Sequence, residues 1–303
     1  MDARSLPLLK YASTVHLEGS RLQVGDKDGT QVPYRTLVGR TIAVEEKLDG
    51  ANTGWSYDQD CRQWLQSRGH YLLGGPNEDQ FSLFKQWARQ MADEVFYHLE
   101  DRFLMYGEWL ALKHTIFYDH LPHFFQEFDV LDRRTGKFLD TPRRHALLKG
   151  SPIQSVPVLY HGPAPKRLED LLAWVRPSLA KSTRWTESLK KIAAYRELDL
   201  ETVLAQTEQS DLAEGLYIKV EENGEVVERL KWVRADFVQA ITESDSHWAQ
   251  RPKVPNQLHP DADLFSLSPL SWDRLARDQG RELASCVTEE VKKRKDEGCN
   301  RNG

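Results

Sequence analysis

Asn223-Gly224 is the dipeptide that most restricts how this chain can fold. It separates two predicted strands, 214–220 and 225–233, and supplies the positive-φ pair that a two-residue hairpin turn demands. An antiparallel pair is therefore expected there, and the same logic recurs upstream. Residues 51–57 and 62–67 surround the polar turn Asp58-Gln59-Asp60, and residues 124–131 and 137–139 bracket Arg133-Arg134-Thr135-Gly136. Residues 41–46 alternate loosely and predict a strand running into Lys47.

Helical spacing fills the intervals. Phe81, Phe84, Ala88, Met91, Val95 and Leu99 predict one long amphipathic helix from Asp79 to near Asp101, with strand Phe103 to Trp109 directly after it. Thr141-Pro142 offers an N-cap followed by proline at the first helical position, and Gly150 a stop. Helical patterns also occupy 165–176 and much of 185–210, and a last helix is expected over 280–297. Pro252 to Pro269 holds four prolines and reads as an extended crossing segment. The sum is an α+β protein whose antiparallel hairpins carry polar motifs.

Composition narrows the class. The 303 residues suit one large or two modest domains, with 40% hydrophobic and 29% charged residues. That balance excludes disordered, collagen-like and coiled-coil chains. No apolar run approaches the roughly 18 residues of a membrane span, and none precedes Lys10 that would serve as a secretory signal. Cys61, Cys286 and Cys299 are far apart with no C-x-x-C spacing, so neither a disulfide framework nor a zinc site is expected; a cytoplasmic location is. The net charge of −5 does not exclude nucleic acid, since positive charge can be confined to one groove.

Four short polar motifs sit on or beside predicted strands: Lys47-Leu48-Asp49-Gly50, Tyr106-Gly107-Glu108-Trp109, Glu214-Gly215-Leu216-Tyr217-Ile218-Lys219 and Lys231-Trp232-Val233-Arg234. Singly, each has a bland reading as solvated strand-end charge. Converged on one pocket, they form a chemical set. A partly desolvated lysine becomes a nucleophile, two glutamates supply oxygen ligands for magnesium, and further cations neutralise phosphate oxygens. That set suits attack by lysine on a nucleoside triphosphate.

In motif order and spacing, the chain from about Thr41 to Arg234 resembles the covalent nucleotidyltransferase superfamily, and within it the ATP-dependent RNA ligases of phage type and their bacterial relatives. The resemblance implies a nucleotidyltransferase (ATP-grasp-like ligase) domain of antiparallel sheets flanked by helices over residues 1–240. A small accessory region, extended then helical, would follow over 241–303. It implies that Lys47 carries AMP and that Glu46, Asp49, Gly50 and Asn52 beside it bind nucleotide. Arg68, in Ser67-Arg68-Gly69, would hold a phosphate or strand end. Phe128, in Phe128-Asp129-Val130, would stack on adenine. Glu108 and Glu214 would hold Mg2+ (or Mn2+) and ribose, and Lys219 and Lys231 would contact the triphosphate.

Two features depart from the family pattern. Val233 stands where a second lysine is usual, and Arg234, one position on and the last of the implied nucleotide-binding residues, would face the other side of a strand unless a bulge re-aims it. Only 69 residues follow Arg234, with no recognisable OB domain; Arg294-Lys295-Asp296-Glu297 reads as solvated surface. The implied reaction joins 5′-phosphate and 3′-hydroxyl RNA ends, or a nicked duplex, in RNA repair. Ser13, His16, Ser20, His247 and Arg251 are candidate strand contacts, and an end-processing kinase or phosphatase a candidate partner. Oligomeric state is not legible. The alternatives are a minimal ATP-dependent DNA ligase, an RNA-capping guanylyltransferase, or a non-catalytic RNA-end-binding protein.

Overall fold

Each tight-turn signal closes a hairpin in the computed structural model, which describes residues 6–22, 30–75, 78–237 and 252–284. The strands are β1 (Val15–Leu17), β2 (Gln31–Val32), β3 (Thr41–Glu46), β4 (Ala51–Tyr57), β5 (Gln63–Ser67), β6 (Phe103–Trp109), β7 (Phe125–Asp132), β8 (Lys137–Leu139), β9 (Gln154–Ser155), β10 (Val158–Pro163), β11 (Gly215–Glu222) and β12 (Glu225–Val233). The helices are α1 (Ser82–Gln90), α2 (Ala92–Leu99), α3 (Thr141–Leu147), α4 (Leu168–Leu172), α5 (Trp185–Tyr195), α6 (Leu200–Ala205) and α7 (Trp272–Asp278). Asn223 and Gly224, at φ 54° and 85°, make the turn between β11 and β12, a conformation glycine adopts without steric cost.

The strands run in the order β10-β3-β11-β12-β8-β7-β6-β4-β5, largely antiparallel, with β1 added in parallel to β12, β2 to β1 and β9 to β7. Short β8 meets β12 only at Glu225 and Val226 and β7 only at Leu131 and Asp132. It thus joins two half-sheets, β10-β3-β11-β12 and β7-β6-β4-β5, that are otherwise bridged by side chains. Behind the first half lie Ile42, Val44, Leu216, Ile218 and Leu230. Behind the second lie Trp55, Phe84, Trp87, Trp109 and Phe125, with Phe84 and Phe125 stacked at 5.6 Å. Each such side chain contributes about 1.5–3 kcal/mol by leaving water.

Residues 252–284 pack Leu264 into the second of these clusters and Val254, Trp272 and Leu275 into two further ones, around Trp185 and Leu189 and around Leu110 and Tyr118. Asn256 braces the floor of the polar region: its Oδ1 accepts from Tyr118 N and its Nδ2 donates to Leu110 O. No helix among the described residues is long and apolar enough to cross a membrane.

Several local expectations shift. The single helix expected over 79–101 is a 3₁₀ turn (Asp79–Phe81) followed by α1 and α2, which meet at Met91 with φ −94° and ψ 7°. Ala88 and Val95 stay buried on either side of that break, as does Met91 within it, so the apolar stripe continues across it and spacing alone does not reveal it. The cap of α3 is Asp140, whose side chain accepts from Arg143 N, and Thr141 is the first helical residue. Thr141 bonds Glu221 instead, through both its N–H and its hydroxyl. The helical pattern of 185–210 breaks between α5 and α6 at Glu197, which has φ 53°. The last described helix is α7, and most of the helix expected over 280–297 lies outside the described residues, as do His247, Arg251 and Arg294–Glu297.

Candidate active site

Lys47 follows β3 at the end of the first half-sheet, where its N–H donates to Gly215 O. Its Nζ donates to Glu214 Oε2 at 2.7 Å. Burial draws the ammonium down, but Glu214, with Glu108 and Asp49 beyond it, more than reverses this and holds the pKa above the ordinary lysine value. Across the cleft Glu108, on β6, accepts from Gly50 N at 3.0 Å. A Cβ on Gly50 would meet Leu110 Cδ2 at 2.6 Å and Trp109 O at 2.7 Å, so the loop after Lys47 can approach β6 only with glycine there.

The acidic pair is short of positive charge. Burial pushes the Glu108 carboxyl up to about 8 and the Glu214 carboxyl up to about 7, despite Lys47 beside both and Lys231 near Glu214. Glu214 Oε1 and Asn52 Oδ1 are buried without a hydrogen-bond partner. Asn52 stands directly opposite Glu108 in the β4–β6 ladder. Among the described residues no three metal-ligating side chains converge. The donor set therefore fits magnesium or manganese, which binds through one or two carboxylates together with substrate phosphate oxygens.

The other expected residues divide between this cleft and its supports. Lys231 pairs with Tyr217 across β11 and β12, and Tyr217 pairs with Glu45 across β11 and β3, so all three share the face that continues to Lys47. Asp49 turns into the floor, accepting from Thr115 N at 2.7 Å and Ile116 N at 3.0 Å, while its own N–H donates to Tyr118 Oη. His114 Nδ1 lies 4.0 Å from Asp49, and burial lowers its pKa. Glu46 is buried on the opposite side of β3, accepting from Ser178 Oγ and Leu179 N, and burial raises its pKa. Arg234, just past β12, is buried; its Nε donates to Ala213 O and its N–H to Glu214 O, fixing the strand entry that carries Glu214. Arg68 is exposed and donates to Ser13 Oγ. His16 and Ser20 are buried and bonded to each other at 2.7 Å.

Phe128 interrupts β7. Tyr106 pairs with Asp129 and Gly107 with Glu127, leaving Phe128 as the extra residue of a β-bulge. Its ring faces Tyr217 of the other half-sheet, with centroids 6.3 Å apart and planes at 43°. The two rings form the walls of an aromatic slot. Tyr11 closes it from beneath: its ring lies edge-on to Phe128 at 5.1 Å, and its hydroxyl meets both Asp129 and Tyr217. Below the slot, Lys219 is fully buried between Glu45 at 2.9 Å and Asp129 at 3.1 Å. Tyr217 was within reach of the sequence, since strand alternation puts it on the face of Lys219; Tyr11 and Arg144, described below, carry no local signal.

A family model described as RNA ligase matches residues 40–233. No curated protein matches the chain. Among solved structures, a lysine-to-alanine mutant of Naegleria gruberi RNA ligase with ATP and Mn is 18% identical at a TM-score of 0.44, covering 66% of this chain and 51% of that one. A lysine-to-methionine mutant of the same ligase with AMP and Mn is 16% identical at 0.44, covering 73% and 59%. The chain thus spans about half the length of the solved relatives it matches.

Proposed function

The chain belongs to the RNA ligase family, and from that premise we propose that it is an ATP-dependent RNA ligase working through AMP linked to Lys47. The observation that carries this reading is the Lys47–Glu214 contact of 2.7 Å, set between buried carboxylates that Lys47 compensates only in part. A lysine so placed is a nucleophile held as its ammonium until substrate arrives.

The Lys47 amine attacks the α-phosphorus of ATP, a nitrogen–phosphorus bond forms, and the bond to the bridging oxygen breaks as pyrophosphate leaves. Glu214 Oε2 is within reach of the proton released, and a carboxyl near 7 is matched to that task. Phe128 and Tyr217 are suited to clasp the base, and Lys231 to neutralise triphosphate oxygens. Glu108 and Glu214 are the residues that would hold magnesium or manganese, which offsets charge spread over the phosphate oxygens. The AMP then passes to a 5′-phosphate end, and a 3′-hydroxyl displaces it to seal the strand.

Arg68 is a candidate for the 5′-phosphate, since its exposed guanidinium is tied only lightly to the Ser13 hydroxyl. The accessory role expected of 241–303 becomes, for residues 252–284, bracing of the Asp49 floor through Asn256 and Tyr118. Ends lacking the required phosphate or hydroxyl would need a kinase or phosphatase acting beforehand. The exposed free thiol of Cys61 suits a reducing cytoplasm.

The test is ATP-driven sealing of matched nicks in RNA and DNA duplexes, alongside charging with ATP against GTP. RNA sealing with ATP, lost in Lys47→Ala, is the expected result. Sealing of DNA alone, or charging by GTP alone, would move the protein to the DNA-ligase or capping reading.

A further inference from the structure

The ring of Phe128 is aimed by contacts to its own backbone. As the extra residue of the β7 bulge, it has no ladder partner in β6. Its carbonyl instead accepts from two buried cations on different elements, Arg144 Nη1 of α3 and Lys219 Nζ of β11. Both are locked from behind. Arg144 reaches Glu45 at 2.5 Å and Glu127 at 3.3 Å, and Lys219 reaches Glu45 and Asp129. Ser155 Oγ donates to Glu127 Oε2 at 2.6 Å, and Arg229 lies 3.7 Å from Asp129. Arg144, Lys219, Glu45, Glu127 and Asp129 are essentially inaccessible to solvent.

We propose that Arg144 and Lys219 are positioning residues for nucleotide binding, clamping the Phe128 carbonyl so that the bulged ring stands across from Tyr217. The inference rests on reading the slot as the base site. It gives Lys219 a place beneath the base, where its ammonium is committed to Glu45, Asp129 and the Phe128 carbonyl, in preference to the triphosphate. It also gives a function to Arg144, which stands outside every polar motif. Guanidinium geometry is what the position needs: the planar fork reaches two carboxylates and a carbonyl together, and a lysine ammonium on a flexible stem does not.

The experiment is a double-mutant cycle on AMP transfer to Lys47, with ATP varied and cooperative melting checked for every protein. Arg144→Lys keeps the charge and loses the fork. Base–aromatic stacking is worth about 1–3 kcal/mol, so Arg144→Lys should raise the ATP KM about tenfold while kcat at saturating ATP stays within about threefold. Phe128→Leu should raise KM at least as much. In the Phe128→Leu background, Arg144→Lys should add nothing further, because the ring through which it acts is gone.

Ser155→Ala, a milder change at the edge of the cluster, should raise KM about threefold alone and not at all with Phe128→Leu. It decides the matter if Arg144→Lys does not fold. An unchanged KM in a folded variant, or the full increase repeated without the ring, would overturn the clamp while the ligase reading stands. A wild-type protein that takes no AMP on Lys47 would overturn the base site itself.

Discussion

Two buried charge groups lie where the two half-sheets face each other, and they differ in how far their charges are balanced. Around Lys47, two carboxylates are held by burial near or above neutrality. Around Phe128, burial pushes the Glu127 carboxyl up to about 7 as well, but Arg144, Lys219 and Arg229 face Glu45, Glu127 and Asp129 in equal number, at 2.5–3.7 Å. A charge-balanced buried cluster resists the loss of any one member and so holds its groups in place. A buried carboxylate pair compensated only in part, by Lys47 and Lys231, is costly alone and gains from a divalent cation and phosphate. The contrast separates the part of the cleft that positions from the part that reacts.

The comparison breaks first if the balanced cluster is unbalanced. Arg144→Met leaves Glu45 and Glu127 without their guanidinium and should cost about 3–5 kcal/mol in urea unfolding. Little loss would mean that the cluster holds nothing in place. At the reactive group the opposite is expected. Glu108→Gln preserves the bond from Gly50 N and removes a carboxylate compensated only in part, so the urea midpoint should hold or rise. AMP transfer should fall at least a hundredfold, equivalent to about 2.7 kcal/mol of lost transition-state stabilisation.

A pH series sharpens the same point. Burial raises the Glu108 carboxyl to about 8, whereas an unfolded glutamate titrates near 4.3. Between those values the folded state keeps a proton that the unfolded state has lost, so this group makes stability fall as pH rises. In metal-free buffer, Glu108→Gln should therefore gain on wild type steadily from pH 5 to pH 8. A difference independent of pH would show that the carboxyl is not held protonated. The smallest expected effect is Asp140→Ala, which removes the cap of the helix carrying Arg144 and should cost about 1 kcal/mol, read by the same unfolding assay.

Much of this contrast was legible from the chain, for physical reasons that differ by region. The hairpins announced themselves because Asn223-Gly224 and Thr135-Gly136 leave the backbone few alternatives. The order of Lys47, Glu108, Glu214 and Lys231 pointed to one pocket only through its resemblance to the RNA ligase motif order, since each motif alone reads equally well as solvated strand-end charge. Lys219 and Glu46 show where the motif stops informing. Both belong to motif strands, yet one ammonium lies in an ion cluster and the other side chain bonds Ser178 and Leu179. Arg144 and Tyr11 were invisible for a further reason. Their partners lie 16 to 206 positions away, and nothing in their own neighbourhood records those contacts. The break at Met91 was hidden because the buried stripe does not change across it.

The most direct measurement is intact mass followed by peptide mapping after incubation with ATP and magnesium. A gain equal to one AMP, located on Lys47 and absent from Lys47→Ala, is the predicted result. AMP on another residue, or none at any pH between neutral and alkaline, would contradict the claim that this lysine is the nucleophile.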